Sequence, residues 1–487
     1  MSKIYLTTAI PYVNGTPHIG HAVDYLLADV YFRYETLLGN EVKFQAGTDE
    51  HGNKIFEKAQ KENLSVEEYV EKNSKTFRDF IEKLNVHPTD FIRTTDKDHE
   101  RRVKLIWQKL ENYIYPETYD GWYCNGCENF VTEKEYQENS GICPDHQTPY
   151  KKLSEKNYYL KISEFKPRIK SAIESGEMKI LPELRKNEIL KLLEDSPDVS
   201  ISRPKKNLSW GIEVPNDPSQ VMYVWLDALS NYLTVLGYPE NELEETSDFK
   251  TFWPASVQFV GKDILRFHAI IWPAILLALN LPLPKVLDSH GHVLNNGVKM
   301  SKSLGNVINP LEVLEKYGCP AFRYYFLRHI DSFADSDFTW ETYDSAYNNE
   351  LANDLGNLVQ RLATLCSKNS VSLPSGSRNS FPELLEKNPD FSALMNNFEF
   401  SKAFDYLWKK INLLNKRIDE EKPWAVVKTD PSAAKKILVS LVSDLLEVAV
   451  LLEPFLPETS EKIIKILSAE KIEPPKTPLF PKLLSRR

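Results

Sequence analysis

A strand, a turn and a helix follow one another at the start of the chain, and the residues at their junction are His18-Ile19-Gly20-His21. Ile4 to Tyr12 (IYLTTAIPY) is rich in β-branched and apolar residues, as a buried strand is, and Asn14-Gly15 marks a turn after it. From Pro17 onward Ala22, Tyr25, Leu26, Val30 and Leu37 recur at helical spacing until Gly39-Asn40 stops them. His18 and His21 therefore fall in the first helical turn, on one face. The unpaired N–H groups of a helix start carry partial positive charge and suit phosphate, and imidazoles there can donate to it. Gly20 leaves room for a flat group to approach the backbone. Taken alone, the stretch fits surface caps on a strand-turn-helix unit equally well.

Further strands end in polar loops. Glu41 to Ala46 runs into Gly47-Thr48-Asp49-Glu50-His51-Gly52, and Val257 to Val260 runs into Gly261-Lys262-Asp263. Ligands of open α/β sheets gather at the carboxyl ends of strands, which brings these loops beside the first one. Asp49 suits a ligand's ammonium group. Ile264 and His268, four apart on a helix, suit an apolar pocket with one polar group, although a satisfied core histidine fits the spacing too. A strand Val286 to Val293 leads to Asn295-Asn296-Gly297, a hairpin-type turn, and then to Lys299-Met300-Ser301-Lys302-Ser303. Gly297 and Gly305 on either side suggest a mobile loop. Lys299 and Lys302 offer two cationic donors where developing phosphate charge could be clamped.

At Tyr119 the composition changes. Cys124-Asn125-Gly126-Cys127 is followed by Cys143-Pro144-Asp145-His146, two ligand turns at zinc-ribbon separation whose sulfur and imidazole donors can close a tetrahedron. With four protein ligands, Cys124, Cys127, Cys143 and His146, such a zinc is structural. The five cysteines of the chain do not form a disulfide framework by their spacing, which fits a reducing compartment. The start of the chain has no signal-peptide pattern, and the longest apolar run, Phe267 to Leu281, is too short for a bilayer. The expectation is a cytoplasmic protein with no membrane association. A net charge of −9 excludes a protein held indiscriminately on nucleic acid, while leaving room for a shaped RNA met by local basic patches.

Beyond Trp340 the pattern becomes helical, with Ala403, Leu407, Ile411, Leu414 and Ile418 tracing one stripe of a bundle. Asn353, Asn357 and Arg361 recur every four residues, and Pro423-Trp424 interrupts a later helix. A polar and guanidinium stripe beside an exposed aromatic could bond and stack unpaired RNA bases; a solvated stripe and a core tryptophan read the same way.

Together these features resemble the class I aminoacyl-tRNA synthetases, whose two hallmarks match residues 18–21 and 299–303. Within that class the chain is similar to the methionyl-tRNA synthetase family over essentially its whole length. The strings that carry this are AIPYVNGTPHIGH, GTDEHG, the paired cysteine turns, SISRP, YVWLDAL, VGKDILRFH, KMSKS, LANDLGNLVQR and EEKPW, in that order. The resemblance implies a Rossmann-like α/β catalytic domain in two halves (1–118 and 221–290) around a zinc-knuckle connective insertion (119–220). A KMSKS and stem-contact region (291–345) and an all-α anticodon-binding bundle (346–487) follow, and the length allows each domain its own core. The stretch 119–220 looks too short for the editing insertion usual in relatives specific for leucine, isoleucine or valine.

The implied reaction joins methionine to Mg2+-bound ATP, giving methionyl-adenylate and pyrophosphate, and then passes the methionyl group to the terminal adenosine of tRNA(Met). By resemblance Ala9, Ile10, Tyr12, Trp225, Ala228, Tyr232, Ile264, Phe267 and His268 line the methionine pocket, with Asp49 at the amino group. His18, Gly20, His21, Gly261 and Asp263 contact ATP, Asp263 at the ribose, and Lys299 and Lys302 close over the phosphates. His18, His21, Lys299 and Lys302 are thus the catalytic set. Asn353, Asn357, Arg361, Pro423 and Trp424 read the anticodon loop. Only one knuckle is present where some relatives have two, and the sequence ends at Arg487 without the dimerisation extension of others, so the expectation is a monomer.

Overall fold

The computed structural model describes residues 1–124, 129–144, 147–239, 248–300, 306–373 and 379–483. Cys127, His146 and Lys302, like the rest of the segment 301–305, lie outside the described residues.

The centre of the molecule is a six-stranded sheet of β1 (Lys3–Thr8), β2 (Glu41–Thr48), β3 (Asp90–Arg93), β4 (Lys179–Leu181), β5 (Val257–Gly261) and β6 (Val286–His290), in the order β3-β2-β1-β5-β6-β4. Every neighbouring pair is parallel. The order reverses between β1 and β5, which opens a crevice at the carboxyl ends of both strands. β1 stops at Thr8, short of the strand expected to Tyr12, because Pro11 has no N–H to give a ladder. The chain rejoins β2 only at a single bridge between Tyr12 and Asp49.

Helix α1 (Ile19–Leu37) leaves the crevice and packs beneath it, with His18 as its N-cap. On the other face α2 (Lys97–Lys109) and α3 (Val224–Thr234) share a core with β1 and β5 residues Tyr5 and Val260. Helix α3 is fixed to the sheet by polar bonds as well: Tyr5 Oη donates to Tyr232 O at 3.0 Å, and Gln45 Nε2 to Asn231 Oδ1 at 2.7 Å.

The stretch 119–220 is less separate from the catalytic sheet than expected. Its strand β4 is the edge of that sheet, paired with β6 from Val286↔Lys179 to Asp288↔Leu181. What stands apart is a four-stranded antiparallel sheet of Asn129–Val131, Ile114–Cys124, Lys151–Leu160 and Val199–Ser200.

Nor do the domains keep separate cores. One apolar cluster runs from Leu26 of α1 and Phe259 of β5, through Tyr325 of α4 (Cys319–Arg328), to Leu407 and Leu452 of the C-terminal bundle. The bundle helices include Phe400–Glu421, Pro431–Leu451 and Pro457–Leu467. Among the described residues no helix is long and apolar enough to cross a membrane.

Candidate active site

Above the reversal point lies a cavity of about 340 Å³, within the range of small-molecule sites. Of the residues assigned to methionine by resemblance, Ala9, Ile10, Tyr12, Asp49, Trp225, Ala228, Tyr232, Ile264 and His268 line it. Phe267 does not line it but stacks on Trp225, centroids 3.5 Å apart and planes at 15°. The cavity is built where β1, β2 and β5 end and α3 begins, so its walls come from four segments far apart in sequence.

One end is apolar with a single oriented polar pair. His268 Nδ1 donates to Ile264 O at 3.0 Å, so its Nε2 accepts the Tyr232 hydroxyl hydrogen at 2.8 Å. Burial lowers the His268 pKa to about 4, and the ring is neutral at physiological pH. His268 lies within a widened turn, Phe267–Ile271, in which Trp272 N–H bonds Phe267 O five residues back, a departure from the regular helix expected over this run. Such a turn is also a device for re-aiming side chains at a site.

The opposite end carries the start of α1. His21 lines the cavity, and its Nδ1 accepts from His18 N–H at 3.1 Å, which leaves Nε2 as the donor of the neutral ring. The His18 ring stacks on it at 3.7 Å, with an interplanar angle of 18°. A Cβ on Gly20 would come within 3.0 Å of His18 Cε1, so the glycine makes room for this imidazole as much as for a ligand. Gly261 ends β5, and Asp263 follows it. Asp263 Oδ2 accepts from His292 at 2.8 Å and from Lys299 at 3.0 Å, and the His292 bond, with Lys299, holds the carboxyl well below the usual range despite partial burial. Lys299 lies on the second strand of a hairpin, opposite Leu294, closed by a two-residue turn in which Asn296 and Gly297 are both at positive φ, 52° and 74°.

Several residues of the site carried no sequence assignment, among them three that bear charge. Asp24 and Lys54 line the cavity, and His290 lies beside Gly261 on the neighbouring strand. Asp24 was findable, three residues beyond His21 on the same helical face; His290 was not, because nothing local marks a buried histidine at a strand end. His290 Nε2 lies 2.7 Å from Asp24 Oδ1, and Nδ1 donates to Gly291 O at 2.8 Å. Burial opposes charge on the ring, but Asp24 and these hydrogen bonds outweigh it and raise the pKa to about 9. The folded chain thus binds this proton more tightly than the unfolded chain, whose histidine titrates near 6.5. The stabilisation is full below about pH 6.5 and lost as pH rises through about 9. Urea midpoints measured across that window are expected to fall with pH, and less steeply in His290→Gln.

Two of the four metal-ligand candidates lie within the described residues. Cys124 closes its strand, and Cys143 opens a tight turn in which its N–H bonds Thr148 O at 2.9 Å while its carbonyl accepts from Gln147 N–H at 2.8 Å. Both thiols are buried in one small cluster with Tyr150. A tight turn presenting a buried soft donor fits a zinc knuckle.

In the bundle, Arg361 lies against Trp424, its guanidinium carbon 5.6 Å from the ring centroid, while Nη2 bonds Asp419 at 2.7 Å. Asn357 is exposed one helical turn before Arg361. Asn353 is half-buried and lies one turn earlier, in Ala346–Gly356, which winds with bonds five residues back. Trp424 is 39% exposed, whereas Pro423 is buried and follows Lys422 at φ 43°, so it shapes the chain reversal.

Comparisons with known proteins agree with this architecture. The family model described as tRNA synthetases class I (M) matches residues 4–152 and 140–363, and that of the anticodon binding domain of methionyl tRNA ligase matches 376–480. The chain is 38% identical to the methionine–tRNA ligase of Caldanaerobacter subterraneus subsp. tengcongensis, over 95% of this chain and 73% of that one. It is 37% identical to that of Rickettsia bellii, over 96% and 93%. A Mycobacterium tuberculosis methionyl-tRNA synthetase, solved in complex with methionyl-adenylate, superposes with a TM-score of 0.90 at 32% identity, covering 99% of this chain and all of the other.

Proposed function

The chain belongs to the methionyl-tRNA synthetase family and is a class I methionine–tRNA ligase, and from that premise we propose how its residues divide the work. The reaction activates methionine with ATP, releasing pyrophosphate, and transfers the methionyl group to the 3′-terminal adenosine of tRNA(Met).

Asp49 holds the methionine ammonium, and the side chain extends between Trp225, Ile264, Tyr232 and His268. The polarised pair carries this reading. With its hydrogen committed to His268, the Tyr232 hydroxyl has no donor left for the ligand, so a strongly accepting head group would lose its hydrogen bonds to water here, whereas a polarisable thioether, only a weak acceptor, loses little. Apolar walls and S–aromatic contacts supply the remaining affinity.

The substrate carboxylate is the nucleophile at the α-phosphate, so the protein contributes alignment and charge stabilisation. His21 Nε2 donates to phosphate oxygen at the start of α1, with His18 stacked behind it. Gly261 admits the nucleoside, and Asp263 bonds the ribose. Lys299 exchanges the Asp263 carboxylate for phosphate when Mg·ATP enters, joined there by Lys302. Asn357, Arg361 and Trp424 contact the anticodon loop, with Asn353 and Pro423 supporting the surface from outside the exposed row. All these residues come from one chain, which is sufficient as a monomer, and thiol ligation suits the reducing cytoplasm.

Zinc bound by Cys124, Cys127, Cys143 and His146 would fix the tip of the connective sheet and add no chemistry to the reaction. Metal analysis of protein purified under reducing conditions is expected to return about one zinc per chain, lost in Cys143→Ser. Absence of zinc from the parent protein contradicts the ligand set.

ATP–pyrophosphate exchange with a panel of amino acids tests the pocket assignment. Exchange is expected with methionine alone, and exchange driven equally by leucine overturns it.

A further inference from the structure

Glu50, His51 and Gly52 follow Asp49 in the loop after β2, and each is fixed to a different element. The Glu50 carboxylate is fully buried and receives Arg93 from β3 through both oxygens, at 2.8 and 2.9 Å. Gly52 has φ +124°, and a Cβ there would lie 2.3 Å from Tyr12 Oη; its N–H donates to Trp210 O at 3.1 Å, while Trp210 Nε1 donates to Glu50 O at 2.7 Å. His51, almost fully buried, donates from Nδ1 to Asp227 Oδ2 at 2.7 Å.

Asp227 is the point at which the loop meets α3. It is 1% exposed, and its second oxygen accepts from His99 Nε2 of α2 at 2.8 Å, while His99 Nδ1 meets Thr234 Oγ1 at 2.7 Å. Both carboxylate oxygens are therefore satisfied by imidazoles from two segments. Burial pushes its pKa up, but the two histidines outweigh that and hold it at about 2. In sequence Asp227 lies between Trp225 and Ala228, which line the cavity, and His51 lies two residues from Asp49.

We propose that the His51–Asp227–His99 bridge fixes the distance between the amino anchor and the side-chain pocket, making Asp227 and His51 positioning residues for methionine. The inference rests on the assignment of Asp49 to the methionine ammonium. A short amino acid held at both ends tolerates little error, since a displacement of about 1 Å can cost on the order of 10²-fold. A merely structural bridge would lower the amount of active protein when broken and leave the methionine KM of the remainder unchanged.

The test is methionine-dependent ATP–pyrophosphate exchange, normalised to active sites, on Asp49→Asn, Asp227→Asn, His51→Ala and His51→Asn. Asp227→Asn and His51→Ala are expected to raise the methionine KM at least about tenfold with the ATP KM within about twofold. His51→Asn keeps an N–H donor near the place of Nδ1 and is expected to recover most of that loss. A methionine KM within about twofold of the parent in His51→Ala, a parallel rise in the ATP KM, or no recovery in His51→Asn overturns the bridge. The two His51 variants decide alone if Asp227→Asn does not fold. An unchanged methionine KM in Asp49→Asn overturns the anchor itself, whereas a rise there with none in His51→Ala overturns only the bridge.

Discussion

Replacing His21 by alanine is expected to slow methionyl-adenylate formation by about 10² to 10³-fold, the usual cost of removing one preorganised donor to a developing negative charge. The imidazole is oriented before any ligand arrives: His18 N–H fixes the tautomer from one side, and the His18 ring fixes the plane by stacking. Because the charge on phosphate oxygen grows only as the carboxylate attacks, the loss should fall on kcat more than on the methionine KM. Single-turnover measurement of adenylate formation checks this. A fall of less than about tenfold would remove His21 from the catalytic set.

The second large effect lies outside the site. Arg323→Ala is expected to destabilise the chain by about 3–5 kcal/mol, because it leaves the Asp29 carboxylate buried without its cationic partner from α4. Arg323 is 1% exposed and Asp29 fully buried, and Arg323 Nη2 meets Asp29 Oδ2 at 2.7 Å. The same guanidinium donates to Phe455 O at 2.7 Å, Pro454 O at 3.1 Å and Leu84 O at 3.2 Å. It thereby joins α1, α4 and the bundle at one point. Arg33 also reaches Asp29 at 2.7 Å, but its side chain is 20% exposed and bonds the Asn85 carbonyl as well, so it compensates only in part. Denaturant unfolding of the variant measures the loss, and a change below about 1 kcal/mol contradicts it.

What the sequence made legible follows from how local each signal is. The helix start at His18 to His21, the Asn-Gly turn before Lys299 and the bundle stripe through Leu407 are set by residues a few positions apart, and each is found where it was expected, although the strand before the first of them ends at Thr8 and not at Tyr12. The cavity proposed to take methionine was not readable from pattern: Ala9, Asp49, Trp225 and His268 are brought together only by the tertiary fold, and their assignment came from family resemblance. The fusion of bundle and catalytic cores was missed because period and composition describe faces of helices and do not say what covers them. The Asp29–Arg323 pair gave no signal for the same reason, since a charged residue within a helix reads as surface until its partner is known. The wide turns at Phe267 and Ala346 were unreadable because the side chains there suit an ordinary helix equally well.

The most direct measurement is a crystal structure with a non-hydrolysable methionyl-adenylate analogue. The account predicts the ammonium group within hydrogen-bonding distance of the Asp49 carboxylate, the thioether against Tyr232 and His268, and the phosphate mimic at His21. An analogue bound with its side chain outside this cavity, or with its ammonium held by a residue other than Asp49, would contradict it.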